Sequence, residues 1–158
     1  MKKKTSIEVK GTAIGIIKQD QNYKNNYNVL IGSNAGISNS GASNTFIGYM
    51  TGYNNISGFD NTYIGDGSGY NNNGNYNTYL GNNTGVNITN GAQDVIIGSY
   101  AGYGLEYSSS NVIIEYRVFF QCISERQRQV ILGAISLCFC RFYCSAGSQF
   151  TCFLGVRA

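Results

Sequence analysis

Asn44-Thr45-Phe46-Ile47-Gly48 and, seventeen residues on, Asn61-Thr62-Tyr63-Ile64-Gly65 decide how this chain folds. The same string recurs outward in both directions. An apolar anchor followed by glycine appears at Ile14-Gly15, Ile31-Gly32, Ile47-Gly48, Ile64-Gly65, Leu80-Gly81 and Ile97-Gly98, with glycine spacings of 17, 16, 17, 16 and 17. Three residues before an anchor stand Asn28, Asn44, Asn61, Asn77, Asp94 and, ahead of Ile114, Asn111. A second glycine follows the first after four residues: Gly36, Gly52, Gly69, Gly85 and Gly102. A bulkier residue comes next: Ile37, Tyr53, Tyr70, Val86 and Tyr103. A third glycine closes most units, at Gly41, Gly58, Gly74 and Gly91. Five full units follow a degenerate first one at 11–27. A fixed period of this kind marks a repeat architecture.

The unit is too short for a helical repeat, which takes about 33 residues or more. Its glycines, β-branched residues and rings disfavour helix and suit short strands. The expected fold is all-β: a β-solenoid with one 16–17-residue coil per unit. Stacked at about 4.8 Å, six coils span roughly 30 Å. Strand residues alternate between faces, so the anchors Ile14, Ile31, Ile47, Ile64, Leu80, Ile97 and Ile114 share one side. They are expected to form the core, with Gly15, Gly32, Gly48, Gly65, Gly81 and Gly98 turning the chain behind them. Leu30, Phe46, Tyr63, Tyr79, Ile96 and Ile113 then form a second apolar stripe, expected to pack against other copies of the chain. In-phase Asn28, Asn44, Asn61, Asn77, Asp94 and Asn111 are expected to form a structural ladder from coil to coil.

Composition narrows the chemistry. The 158 residues include 21 glycines, 13 tyrosines and 20 asparagines, but no histidine, proline or tryptophan. Histidine-based dyads and histidine-ligated metals are therefore excluded. The net charge of +3 is small and not gathered into a basic stripe, which argues against nucleic acid. Of the eight carboxylates, Asp60 and Asp66 are the closest pair in the repeats, on opposite sides of a predicted strand. A glycosidase needs two carboxylates facing each other across a sugar, so no catalytic residue, metal or cofactor is expected. Tyr53, Tyr70 and Tyr103 are candidates for surface binding, toward a host glycan or protein, since tyrosine pairs an apolar ring with a polar tip. Thr45, Thr62 and Thr78 stack in phase and suggest an alternative, an ice-binding solenoid.

The chain divides into a basic cap at 1–10, a repeat domain at 11–114 and an atypical tail at 115–158. The lysines of the cap discourage end-to-end strand pairing, and no apolar stretch follows them to make a cleavable signal. At Glu115 the repeat fails. Arginine, cysteine and phenylalanine take over, and asparagine disappears. A frameshift or gene fragment is the leading reading of the tail, and an alternative for the chain as a whole is a truncated gene product without independent function. A membrane or packing segment at 130–156 and a small trimerisation cap are the other readings of the tail. The run Val130 to Phe139 falls short of the roughly 20 residues of a spanning helix. Cys138-Phe139-Cys140-Arg141-Phe142-Tyr143-Cys144 fits no common zinc spacing.

Asn44-Thr45-Phe46-Ile47-Gly48 with Gly52-Tyr53-Asn54-Asn55, then Asn61-Thr62-Tyr63-Ile64-Gly65, resembles the Asn/Gly-rich repeats of phage and giant-virus tail fibres. It is similar also to the head repeats of YadA-like trimeric autotransporter adhesins. The resemblance covers 11–114. It implies a left-handed β-roll, a homotrimer, and a non-catalytic shaft or surface-binding element on a virion or cell surface. No self-cleaving chaperone domain is recognisable after Ile114, nor the signal and membrane barrel of an autotransporter.

Overall fold

The computed structural model describes residues 8–9, 12–13, 27–106, 108–114, 116, 119–120, 130–132 and 137–138. It is an all-β solenoid. The strands are β1 (Glu8–Val9), β2 (Thr12–Ala13), β3 (Val29–Ile31), β4 (Thr45–Ile47), β5 (Thr62–Ile64), β6 (Thr78–Leu80), β7 (Val95–Ile97), β8 (Val112–Ile114), β9 (Phe119–Phe120), β10 (Val130–Leu132) and β11 (Leu137–Cys138). From β3 to β8, six strands stack parallel and in register, one per coil, with Val29, Thr45, Thr62, Thr78, Val95 and Val112 level with one another. Five coils lie between them. Strands β1 and β2 instead pair antiparallel in a separate two-stranded sheet. Among the described residues the first unit therefore adds no strand to the stack. The sequence supplies a reason: Gly11 stands where the ladder asparagine belongs. Ile14 and Gly15 lie outside the described residues.

Strands β3 to β7 are each three residues long because glycine ends them. Gly32, Gly48, Gly65, Gly81 and Gly98 have φ between 129° and 140°, a region that a Cβ forbids. A Cβ at Gly65 would also strike the carbonyl oxygen of Gly81 in the next coil. Three further positions per coil adopt left-handed backbone. One of them is held by ordinary side chains in every coil: Ser43, Asp60, Tyr76, Gln93 and Ser110, with φ of 55° to 61°.

The two faces of the strands are assigned oppositely to the sequence expectation. Leu30, Phe46, Tyr63, Tyr79, Ile96 and Ile113, expected to meet other copies, form the core. The expected anchors point outward. Leu80 and Ile114 are 44% and 41% exposed, and Ile31, Ile47, Ile64 and Ile97 are only half-buried. Alternation reveals that two faces differ, but not which one the coil encloses. The interior decides by its width. It takes one large side chain from each strand, and the small column Ala35, Thr51, Ser68, Thr84 and Ala101 from the turn that follows. Flat rings suit that slot. Phe46, Tyr63 and Tyr79 stack at centroid spacings of 4.9 Å, with interplanar angles of 4° and 16°. The second glycines make room for them, since a Cβ at Gly52 or Gly69 would lie 2.6 Å or 2.5 Å from the ring beneath it.

Candidate interaction surfaces and the buried ladder

The ladder expected from asparagine phase is present in atomic detail. Each rung's Oδ1 accepts the backbone N–H of the next rung: Asn28 from Asn44 at 2.8 Å, Asn44 from Asn61 at 3.0 Å, and Asn61 from Asn77 at 3.0 Å. Asn77 accepts from Asp94 at 2.9 Å, and Asp94 from Asn111 at 2.9 Å. The rung amides also donate to the third glycine of the coil: Asn28 to Gly41, Asn44 to Gly58, Asn61 to Gly74 and Asn77 to Gly91, at 2.6–2.9 Å. These groups are removed from water, so every bond of the set matters. An unmade one costs about 1–3 kcal/mol.

Asp94 is the one rung that cannot donate this way while ionised. Its coil also changes the partner, because Ser108 stands where the glycine carbonyl acceptor would fall. The Ser108 and Tyr79 hydroxyls lie beside the Asp94 carboxyl. Asp94 Oδ1 accepts both the backbone N–H and the side-chain amide of Asn111, at 2.9 Å and 3.1 Å. Burial raises the Asp94 carboxyl above its ordinary range, against the lowering effect of hydrogen bonds from Asn111, Ser108 and Tyr79. Among the described residues there is no lysine, arginine or histidine to relieve it. Burial likewise pushes the Tyr63 and Tyr79 phenols far upward, so both remain neutral.

A further inward column escaped the sequence reading. Asn39, Asn55 and Asn72 give way to Ile88 and Leu105, so the interior changes from amide to aliphatic along the axis. The signal was legible as residues two or three before the third glycine. Asn55 donates to the Asn72 carbonyl at 2.8 Å, and Asn72 to the Tyr79 hydroxyl at 2.8 Å.

Outside, two surfaces stand out. The outward side of the sheet carries the column Ile31, Ile47, Ile64, Leu80, Ile97 and Ile114 beside Val29, Thr45, Thr62, Thr78, Val95 and Val112. On another side, Tyr53 and Tyr70 stack at 4.9 Å and 2°. Beside them Asn54 donates to Asn71 Oδ1 at 2.8 Å. Tyr103 does not join this pair. Val86 separates it from Tyr70, and it packs obliquely on Tyr100 at 5.8 Å. One face of each stacked ring is occupied by the other, which leaves less ring face for a sugar than three isolated tyrosines would offer.

Among the described residues, no cluster of histidine, cysteine or carboxylate side chains could hold a metal, and no helix is long and apolar enough to cross a membrane. Asp60 and Asp66 are both exposed. Cys140 and Cys144 lie outside the described residues, as does most of 130–156. Comparison with protein-family models, curated proteins and solved structures finds no match to this chain.

Proposed function

We propose that the chain is a non-catalytic structural module, a homotrimeric left-handed β-roll serving as the shaft or surface-binding element of a fibre or adhesin on a virion or cell surface. One observation carries this reading: the unbroken aliphatic column from Ile31 to Ile114 on the outside of the sheet. A monomer leaves this stripe in water, and it runs the whole length of the stack. Packed around a three-fold axis, the stripes of three copies would meet one another and close the ring through heterologous contacts. The interior of the described coils is filled by stacked rings, amides and aliphatic side chains, the parts that build a stack. The Tyr53–Tyr70 pair and its asparagine neighbours are the surface offered to a glycan or protein of the host.

Sedimentation equilibrium of the full chain tests the seam. A trimer is expected, and Ile47→Lys with Ile64→Lys dissociates it while the β-sheet spectrum persists. A stable monomer at micromolar concentration would overturn the proposal. A second reading, ice binding, draws on the level and outward-facing Thr45, Thr62 and Thr78. Valine replaces threonine at Val29, Val95 and Val112, so only half of that column carries hydroxyls. Absence of thermal hysteresis removes it.

A further inference from the structure

We infer that Asn90 is a self-modifying site, converting to aspartate or isoaspartate without an enzyme while the coils remain folded. The chemistry needs an amide or acid side chain followed by a residue whose backbone nitrogen is free to attack. Glycine suits the second place because no side chain shields its nitrogen or restricts its backbone. The chain has three such steps in its repeats: Asp66-Gly67, Asn73-Gly74 and Asn90-Gly91.

The fold treats them differently. The Gly67 N–H donates to the Tyr49 carbonyl at 2.9 Å. The Gly74 N–H donates to Asn72 Oδ1 at 2.7 Å, and the Asn73 side chain is itself held, accepting the Ile56 N–H at 2.5 Å. At Asn90-Gly91 both restraints are missing. The inward residue stands three places before Gly91 rather than two, as Asn72 does before Gly74, and it is the aliphatic Ile88, which offers no acceptor. No acceptor is found for the Gly91 N–H among the described residues. Asn90 is exposed to water, at the corner where the 17-residue coils carry their extra residue. This corner lies away from the strand face, so the inference does not depend on the trimer seam.

The reaction balances with water alone. The Gly91 nitrogen loses its proton to base and attacks Asn90 Cγ. The Cγ–Nδ2 bond breaks, ammonia leaves, and a five-membered succinimide forms. Water then opens either carbonyl, giving aspartate or, with the backbone rerouted through the side chain, isoaspartate. The new carboxylate lies four residues before Asp94, in a stretch with no cation. The altered link immediately precedes Gly91, whose carbonyl holds the Asn77 amide at 2.6 Å. Ageing is thus expected to loosen this rung first.

The test is peptide mass spectrometry of the full chain incubated in mildly alkaline buffer, native and in denaturant. Native chain is expected to convert Asn90 several-fold faster than Asn73, while denaturant brings the two rates together. Asn90→Gln abolishes conversion at that position, because the longer side chain closes its ring far more slowly. Equal rates in the native chain, a faster Asn73, or an Asn90 that stays intact while the denatured chain converts would each overturn the inference.

Discussion

Replacing Asp94 by asparagine should stabilise the solenoid, and the gain should depend on pH in a direction opposite to that of most carboxylates. The side chains are nearly isosteric, so the rung keeps its place. The Oδ1 that accepts from Asn111 is retained. The new Nδ2 faces the Ser108 hydroxyl, as Asn61 and Asn77 face Gly74 and Gly91. Asp94 Oδ2 is buried without a partner in hydrogen-bonding geometry. Replacing that oxygen by a donor aimed at Ser108 is worth about 1–3 kcal/mol, the cost of a buried polar atom without a well-placed partner. The sign follows from the raised carboxyl. In the unfolded chain Asp94 ionises in the ordinary range, whereas in the folded chain burial holds the proton longer. Native stability is then fully present below the unfolded value and is lost as pH rises through the folded one. Asp94→Asn removes this loss. Melting followed by circular dichroism across the acid-to-neutral range measures it. The two proteins should melt together in acid and diverge as pH rises. At about 2–4 °C of Tm per kcal/mol for a chain of this size, the gap is readily resolved. A variant less stable than the parent at neutral pH, or a gap that ignores pH, would refute the account of this rung.

Three other outcomes are expected. Tyr63→Ala removes the middle ring of the interior stack, with Phe46 and Tyr79 on either side at 4.9 Å, and should cost about 3–5 kcal/mol with loss of the near-ultraviolet aromatic signal. Gly65→Ala forces a Cβ both into φ of +132° and onto the Gly81 carbonyl, so denaturant melts should show a loss above the 1–3 kcal/mol of backbone strain alone. Ending the chain at residue 114 removes β10 from the edge of β8, and sedimentation velocity should then detect more end-to-end association than in the full chain.

The period, the parallel stacking and the ladder were all legible in the sequence. They share one cause: a solenoid places equal phases directly above one another, so whatever one coil needs the next must repeat. Asn44, Asn61 and Asn77 recur because each supplies an acceptor to the N–H above it. What could not be read was the direction in which a strand faces. Phe46 and Ile47 are both apolar and adjacent, and a monomeric globule would bury either. The difference rests on three-dimensional facts that alternation does not encode. They are the narrow interior, the ring seats opened by Gly52 and Gly69, and the stacking of flat side chains at the coil spacing. The same gap hid the coupling of Asp94 to Ser108, since their meeting needs the coil to close on itself.

The tail shows how far templating by a strand extends beyond the repeat. Glycine and asparagine phases both stop at Glu115, which made the sequence appear to leave the fold there. Yet Val130-Ile131-Leu132 pairs parallel with Val112-Ile113-Ile114, an offset of 18 residues, and is followed by Gly133. Leu137-Cys138 pairs with Phe119-Phe120 at the same offset. The two pairings share one offset, one residue longer than the longest earlier coil. The earlier coils already absorb a variable residue, at the corner before Gly58 and Gly91, without disturbing the strand register. The strand edge is thus the conserved element of the stack from coil to coil, and the corners are where length can change. A short aliphatic segment ending in glycine suffices to occupy such an edge. Val130 to Gly133 matches Val29-Leu30-Ile31-Gly32 in that respect, although everything between Glu115 and Gln129 departs from the repeat.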